Sequence, residues 1–125
     1  MKAASCIAAA LLCAASPALA TGTILCRSTI SPGQGPELSL VVGPTGIAQA
    51  HFSLGEERFT TGVGTDAPVI AQTWLDRDML KLDIMDANAD SRIARLDTRR
   101  RRGSDYLGIL IHRGRTWRVR CGEEG

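Results

Sequence analysis

From Thr23 onward the apolar residues of this chain fall on alternate positions, in short runs separated by Gly, Pro, Asp and Asn. A period of two places every second side chain on one face of an extended strand, the pattern of a sheet with one buried face. The runs align Ile24, Cys26 and Ser28, then Leu38, Leu40 and Val42, then Ala48, Ala50, Phe52 and Leu54. Phe59, Thr61 and Val63 follow. Further on, Leu80, Leu82 and Ile84 share a face, and Ala94 and Leu96 lie opposite Ile93. Between Val69 and Leu75 the alternation sets Ile70 and Trp74 against Val69, Ala71 and Leu75. Both tryptophans, Trp74 and Trp117, fall inside strand patterns and read as core.

The clearest element is the end of the chain, DYLGILIHRGRTWRVRC from Asp105 to Cys121. Leu107, Ile109 and Ile111 alternate with Tyr106, Gly108, Leu110 and His112. Arg113-Gly114 makes a tight turn, and Trp117, Val119 and Cys121 then alternate with Arg118 and Arg120. Alternation on both sides of a Gly-containing turn predicts a β-hairpin. On this reading Leu107, Ile109 and Ile111 face the core and His112 faces away from it.

No stretch after the first twenty residues shows three turns of apolar spacing at a period of 3.6 between helix caps. Turn chemistry recurs instead at Ser31–Pro36, Gly43–Gly46, Gly55–Glu57, Gly62–Pro68, Asp76–Asp78 and Asp86–Asp90. About eight short strands joined this way predict an all-β chain, a small antiparallel meander β-barrel, with a two-sheet β-sandwich as the alternative.

The first twenty residues stand apart. Lys2 precedes an apolar run from Cys6 to Ser16, and Ala18-Leu19-Ala20 closes it with small residues at the positions a signal peptidase reads. Residues 1–20 are therefore read as a secretory signal peptide and residues 21–125 as a single all-β domain, with no membrane span after cleavage because the apolar run is too short for a spanning helix. Cleavage removes Cys6 and Cys13 and leaves Cys26 and Cys121. An even pair in an exported chain predicts a disulfide, here closing a loop of 95 residues. The chain-entropy relation gives such a loop roughly 4.6 kcal/mol. A bond between Cys26 and Cys121 also sets the first strand beside the last, which favours the barrel because closure removes sheet edges.

Charge is distributed unevenly. Thr21–Asp90 holds four basic residues against nine acidic ones, and Ser91–Gly125 holds ten arginines against four acids, although the whole chain carries only +2. Arg99, Arg100, Arg101 and Arg102, with Arg118 and Arg120, form the candidate anion- or partner-binding set, since guanidinium forks bind phosphate and carboxylate bidentately. Nucleic acid is a poor fit to an exported chain with few aromatic stacking platforms. Asp86, Asn88 and Asp90 alternate as oxygen ligands of a calcium loop would, but Ser91 stands where such a loop turns on Gly and Asp97 where it ends on Glu. Calcium is the only cofactor with a candidate site; the default expectation is none. His51 and His112 are the only histidines. No GxSxG, paired-carboxylate or phosphate-loop motif is present, so the sequence gives no reason to expect an enzyme.

In size, leader and disulfide-tied build the chain resembles the small periplasmic β-barrel inhibitors of lysozyme, a likeness of architecture that rests on no shared motif. The expectation is a periplasmic or secreted binding or inhibitor module of the cell envelope, with an envelope protein, a glycan or an anionic polymer as partner. The alternative is an envelope structural or stress protein that binds an anionic polymer or lipid through its arginines.

Overall fold

The computed structural model describes residues 22–30, 33–101 and 103–124. The leader read at residues 1–20, and Arg102, lie outside the described residues. Nine strands follow one another: β1 (Gly22–Ser28), β2 (Glu37–Gly43), β3 (Gly46–Leu54), β4 (Glu57–Thr60), β5 (Val69–Leu75), β6 (Met79–Met85), β7 (Arg92–Arg100), β8 (Tyr106–His112) and β9 (Arg115–Glu124). Among the described residues there is no helix. The strands form one antiparallel sheet in the order β4-β3-β2-β1-β9-β8-β7-β6-β5, curled into a half-barrel.

Two meanders, β1–β4 and β5–β9, meet along the β1–β9 ladder. At its centre Cys26 faces Cys121 across a Cα–Cα distance of 4.0 Å, and their disulfide joins the terminal strands as the sequence predicts. The two sheet edges are β4 and β5, which are consecutive in the chain. Gly62 (φ 73°), Gly64 (φ 97°) and Asp66 (φ 56°) turn the connecting segment back on itself, and the Gly62 amide donates to the Pro68 carbonyl at 2.9 Å. Left-handed backbone of this kind cannot continue a ladder, and among the described residues none joins β4 to β5. The terminal strands are thus locked together, and the seam lies in the middle of the sequence.

The curl is measured by contacts across the concave side. Glu57 on β4 and His112 on β8 are five ladder steps apart, yet a Glu57 carboxylate oxygen lies 3.1 Å from the His112 Nε2. The core fills this concavity. Leu38, Leu40, Leu80, Ile84, Leu96, Leu110 and Val119 are fully buried, with Ile24, Ala50, Phe52, Leu82, Ala94 and Tyr106 around them. Two buried threonines are bonded into the ladder: Thr98 Oγ1 donates to the Leu80 carbonyl at 2.9 Å, and Thr61 Oγ1 accepts from the Ala50 amide at 2.9 Å. An orphaned hydroxyl in such a place would cost 1–3 kcal/mol, by the usual order of magnitude.

Three expectations about facing are corrected. In the terminal hairpin the buried residues of β8 are Tyr106, Leu110 and His112, and Leu107 is 46% exposed, so Leu107, Ile109 and Ile111 lie on the outer face. The reason is register. The two-residue turn pairs His112 with Arg115, Leu110 with Trp117, Gly108 with Val119 and Tyr106 with Cys121, and directly opposed residues share a face. In β5 an irregularity at Ala71 shifts the ladder, so Ile70, Thr73 and Leu75 pair with the inward Ile84, Leu82 and Leu80 while Trp74 pairs with Lys81 and turns outward. Trp74 is 55% exposed, whereas Trp117 packs against the core as expected. A bulge at Ala48 likewise moves Ile47, in place of Ala48, onto the core face opposite Val42.

Gly108 marks the tightest approach of two strands. A Cβ built there would sit 2.1 Å from the Asp97 carbonyl oxygen and 2.7 Å from the Thr98 Cα, both backbone atoms, so the β7–β8 ladder closes only on a residue without a side chain.

Candidate functional site

The half of the chain richest in arginine becomes three adjacent strands, β7, β8 and β9, so folding keeps its charge together. Alternation then sorts the arginines. Cross-strand pairing aligns Arg99, Leu107 and Arg120 in one row and Asp97, Ile109 and Arg118 in the next; Arg95, Ile111 and Thr116 form a third. All belong to the outer face. Adjacent strands lie about 4.8 Å apart, so Arg99 and Arg120 flank Leu107 with their Cα atoms about 10 Å apart. The surface is an aliphatic stripe with Arg95 and Arg99 on its β7 side, Asp97 between them, and Arg118 and Arg120 on its β9 side.

The six arginines singled out in the sequence therefore separate. Arg99, Arg118 and Arg120 come together on the outer face, and among the described residues none has a carboxylate within ion-pair distance. Arg101 is exposed at the turn into β8. Arg100 is committed to the fold: its guanidinium lies 4.6 Å over the Tyr106 ring, its Nε donates to the Arg77 carbonyl at 2.8 Å, and its amide donates to the Asp78 carbonyl. Neighbouring cations are paired off, Arg92 and Arg95 with Asp83, Lys81 with Asp97, and Arg27 with Glu37. Among the described residues Arg58, Arg77, Arg101 and Arg115 also lack a carboxylate partner, but Arg99, Arg118 and Arg120 are the unpaired set that adjacent strands place together on one face.

At the mouth of the half-barrel lies a second charged group. His112 is 5% exposed and its ring packs 4.6 Å from that of Phe52, which stacks on Phe59 at 5.0 Å. The Glu57 carboxylate lies 3.1 Å from His112 Nε2 and accepts from Arg113 Nη2 at 2.9 Å and Nε at 3.1 Å. Partial burial pushes the Glu57 pKa upward, but the Arg113 hydrogen bond and the charges of His112 and Arg113 outweigh this and hold it below the usual carboxylate range. The cluster straps β4 to the β8–β9 turn. Sequence reasoning missed it because Glu57 and His112 are joined only through the curl.

At the opposite end, the Tyr106 hydroxyl donates to the Asp76 carbonyl at 2.6 Å. Burial, helped by the nearby carboxylates and opposed by Arg100, raises its pKa. Asp76 organises the β5–β6 turn, accepting from the Trp74 indole N–H and from the Met79 and Asp78 amides, and these hydrogen bonds lower its pKa.

The calcium candidate serves as a turn. Asp86 Oδ1 accepts from the Asp90 amide at 2.7 Å, the Asp86 carbonyl accepts from the Ala89 amide, and Ala89 takes a φ of 58°. Among the described residues no three His, Cys, Asp or Glu side chains gather as metal ligands, at Asp86 and Asp90 or elsewhere. His51 is exposed and bonded to Thr60 Oγ1 at 2.8 Å, whereas His112 is buried on the other side of the sheet, so the two histidines do not converge.

Set beside family models, curated proteins and solved structures, the chain matches none of them. The class defined by fold and surface is therefore architectural: a disulfide-tied, curled antiparallel sheet with a cationic outer face.

Proposed function

We propose that this chain is an exported binding module of the cell envelope, without chemistry of its own, that holds an anionic polymer on the outer face of β7–β9. The observation that carries the reading is the set of Arg99, Arg118 and Arg120, free of carboxylate partners and arrayed on rigid strands around Leu107. Guanidinium groups fixed at strand spacing meet phosphate or carboxylate groups without first giving up an ion pair. Export is supported by the leader pattern at residues 1–20 and by the Cys26–Cys121 disulfide, which suits an oxidising compartment. Among the described residues no helix is long and apolar enough to cross a membrane.

The test is salt-dependent retention of the oxidised protein on an anionic polysaccharide matrix, with anionic and neutral lipid vesicles in parallel. Each exposed arginine at an anionic surface contributes about 1 kcal/mol. The triple variant R99S/R118S/R120S is therefore expected to weaken retention about 100-fold at physiological salt while leaving melting nearly unchanged, because all three side chains point to solvent. Unchanged retention overturns the assignment of this face. Binding to anionic vesicles without binding to the polymer overturns the choice of ligand.

A further inference from the structure

The outward turn of Trp74 creates a cleft beside the Arg99, Arg118 and Arg120 set. Its volume is about 520 Å³, within the range of small-ligand sites, and its outer-face lining is Gln72, Trp74, Met79, Lys81, Asp83 and Arg95. Five of these residues form two cross-strand rows, Gln72 with Asp83 and Arg95, and Trp74 with Lys81; Met79 stands in the next row, opposite Arg99.

The indole is held before any ligand arrives. Its N–H donates to Asp76 Oδ2 at 2.8 Å, and the other oxygen of that carboxylate accepts from the Asp78 and Met79 amides, so the ring is tied to the β5–β6 turn. More than half of Trp74 remains exposed. A large aromatic surface left in water on an edge strand is a liability for aggregation unless something uses it. A ring whose rotamer is already fixed loses little further entropy when a partner stacks on it.

Beside the ring the polar groups are mixed in kind. Gln72 offers a donor and an acceptor, and Lys81 and Arg95 are donors. The Asp83 side chain is only 13% exposed, and its Oδ1 is buried without a hydrogen-bond partner, with the Nε atoms of Arg92 and Arg95 at 3.6 and 3.5 Å. That oxygen is closed to an incoming group; it lies between the two guanidinium groups and sets them beside the cleft. Acceptors and donors interleaved around one aromatic face match a ring whose substituents both donate and accept. The apolar part, Trp74 and Met79, is the size of one such ring and far short of the area a stable protein interface buries.

We infer that this cleft is a sugar-binding subsite: a pyranose stacks its C–H face on Trp74, and its hydroxyl groups are held by Gln72, Lys81 and Arg95. The inference stands on Trp74 and its neighbours alone and does not need Arg99, Arg118 or Arg120.

The test titrates the disulfide-bonded protein with two neutral oligosaccharides, a tetrasaccharide of N-acetylglucosamine and one of glucose. Intrinsic tryptophan emission and the two indole N–H resonances are followed by fluorescence and NMR. Neutral probes leave the arginine face out of the result. At least one of them is expected to give a saturable shift of the Trp74 resonance, lost in W74A, kept in W117F and about tenfold weaker in Q72A. W74A removes an exposed side chain and its one exposed hydrogen bond to Asp76, so its melting should fall by no more than a few degrees. If neither sugar moves the Trp74 resonance at millimolar concentration, the inference fails. It fails equally if that resonance shifts with protein concentration alone and W74A abolishes the shift, since the face then receives a second copy of the chain.

Discussion

Reducing the Cys26–Cys121 bond, or replacing both cysteines with alanine, tests how the two meanders are held together. Apart from the β1–β9 ladder, β1–β4 and β5–β9 meet where β3 approaches β5, across the concave core and through side-chain ties such as Glu57–His112. The bridge closes a loop of 95 residues, for which the chain-entropy relation gives roughly 4.6 kcal/mol. A domain of this size has a total stability of about 5–15 kcal/mol, so the loss removes between a third and nearly all of it. At about 4 °C per kcal/mol the melting temperature falls by roughly 18 °C. The assay is urea unfolding of oxidised and reduced protein followed by far-UV circular dichroism. The same samples go to mass spectrometry, where reduction adds two hydrogens. A midpoint that does not move on complete reduction would refute the reasoning, because it would show that the core and the ladder alone determine the stability.

Three further outcomes follow from the geometry. Gly108→Ala forces a Cβ against the backbone of Asp97 and Thr98 and is expected to cost about 3 kcal/mol in thermal melts; Gly22→Ala, which meets nothing within 4 Å, stays within about 0.5 kcal/mol. Glu57 titrates below its ordinary 4.5 in the folded protein. Its contribution is complete above that pH and is lost as pH falls through the lower folded value, so stability measured from pH 6 to pH 3 should decline less steeply in Glu57→Gln. At neutral pH the same variant should lose about 1 kcal/mol, and equal acid slopes for the two proteins would remove Glu57 from the account.

Which elements exist was legible in the alternation of the sequence, and so was the partnership of the two cysteines. Facing was less so, and the failures share one physical cause. In a sheet, parity decides which side of the ladder a residue occupies, and one inserted residue reverses it for everything beyond. Ile70 and Trp74 are four apart, an even spacing that puts them together in an unbroken strand; the irregularity at Ala71 parts them. In β8 the three aliphatic residues outweighed a better clue. A two-residue turn at Arg113-Gly114 already pairs His112 with Arg115, and carried back from the inward Trp117, Val119 and Cys121 it places Leu110, Gly108 and Tyr106 inward. The glycine inside that run was a second clue, since a residue needed for close backbone approach belongs where strands crowd. The arginine run was visible as a run, but its division into Arg99 outside and Arg100 against Tyr106 needed the register. The Glu57–His112 contact depends on the curl and has no local signature.

The seam between β4 and β5 has a consequence for survival among proteases. Residues 62–66 are solvent-exposed and lie between the two meanders, the kind of segment proteases cut. A nick there divides the polypeptide into a piece carrying β1–β4 and a piece carrying β5–β9, and Cys26 lies on the first while Cys121 lies on the second. Severed there, the molecule stays in one piece, with the cationic face on β7–β9 and the Trp74 cleft both on the same fragment.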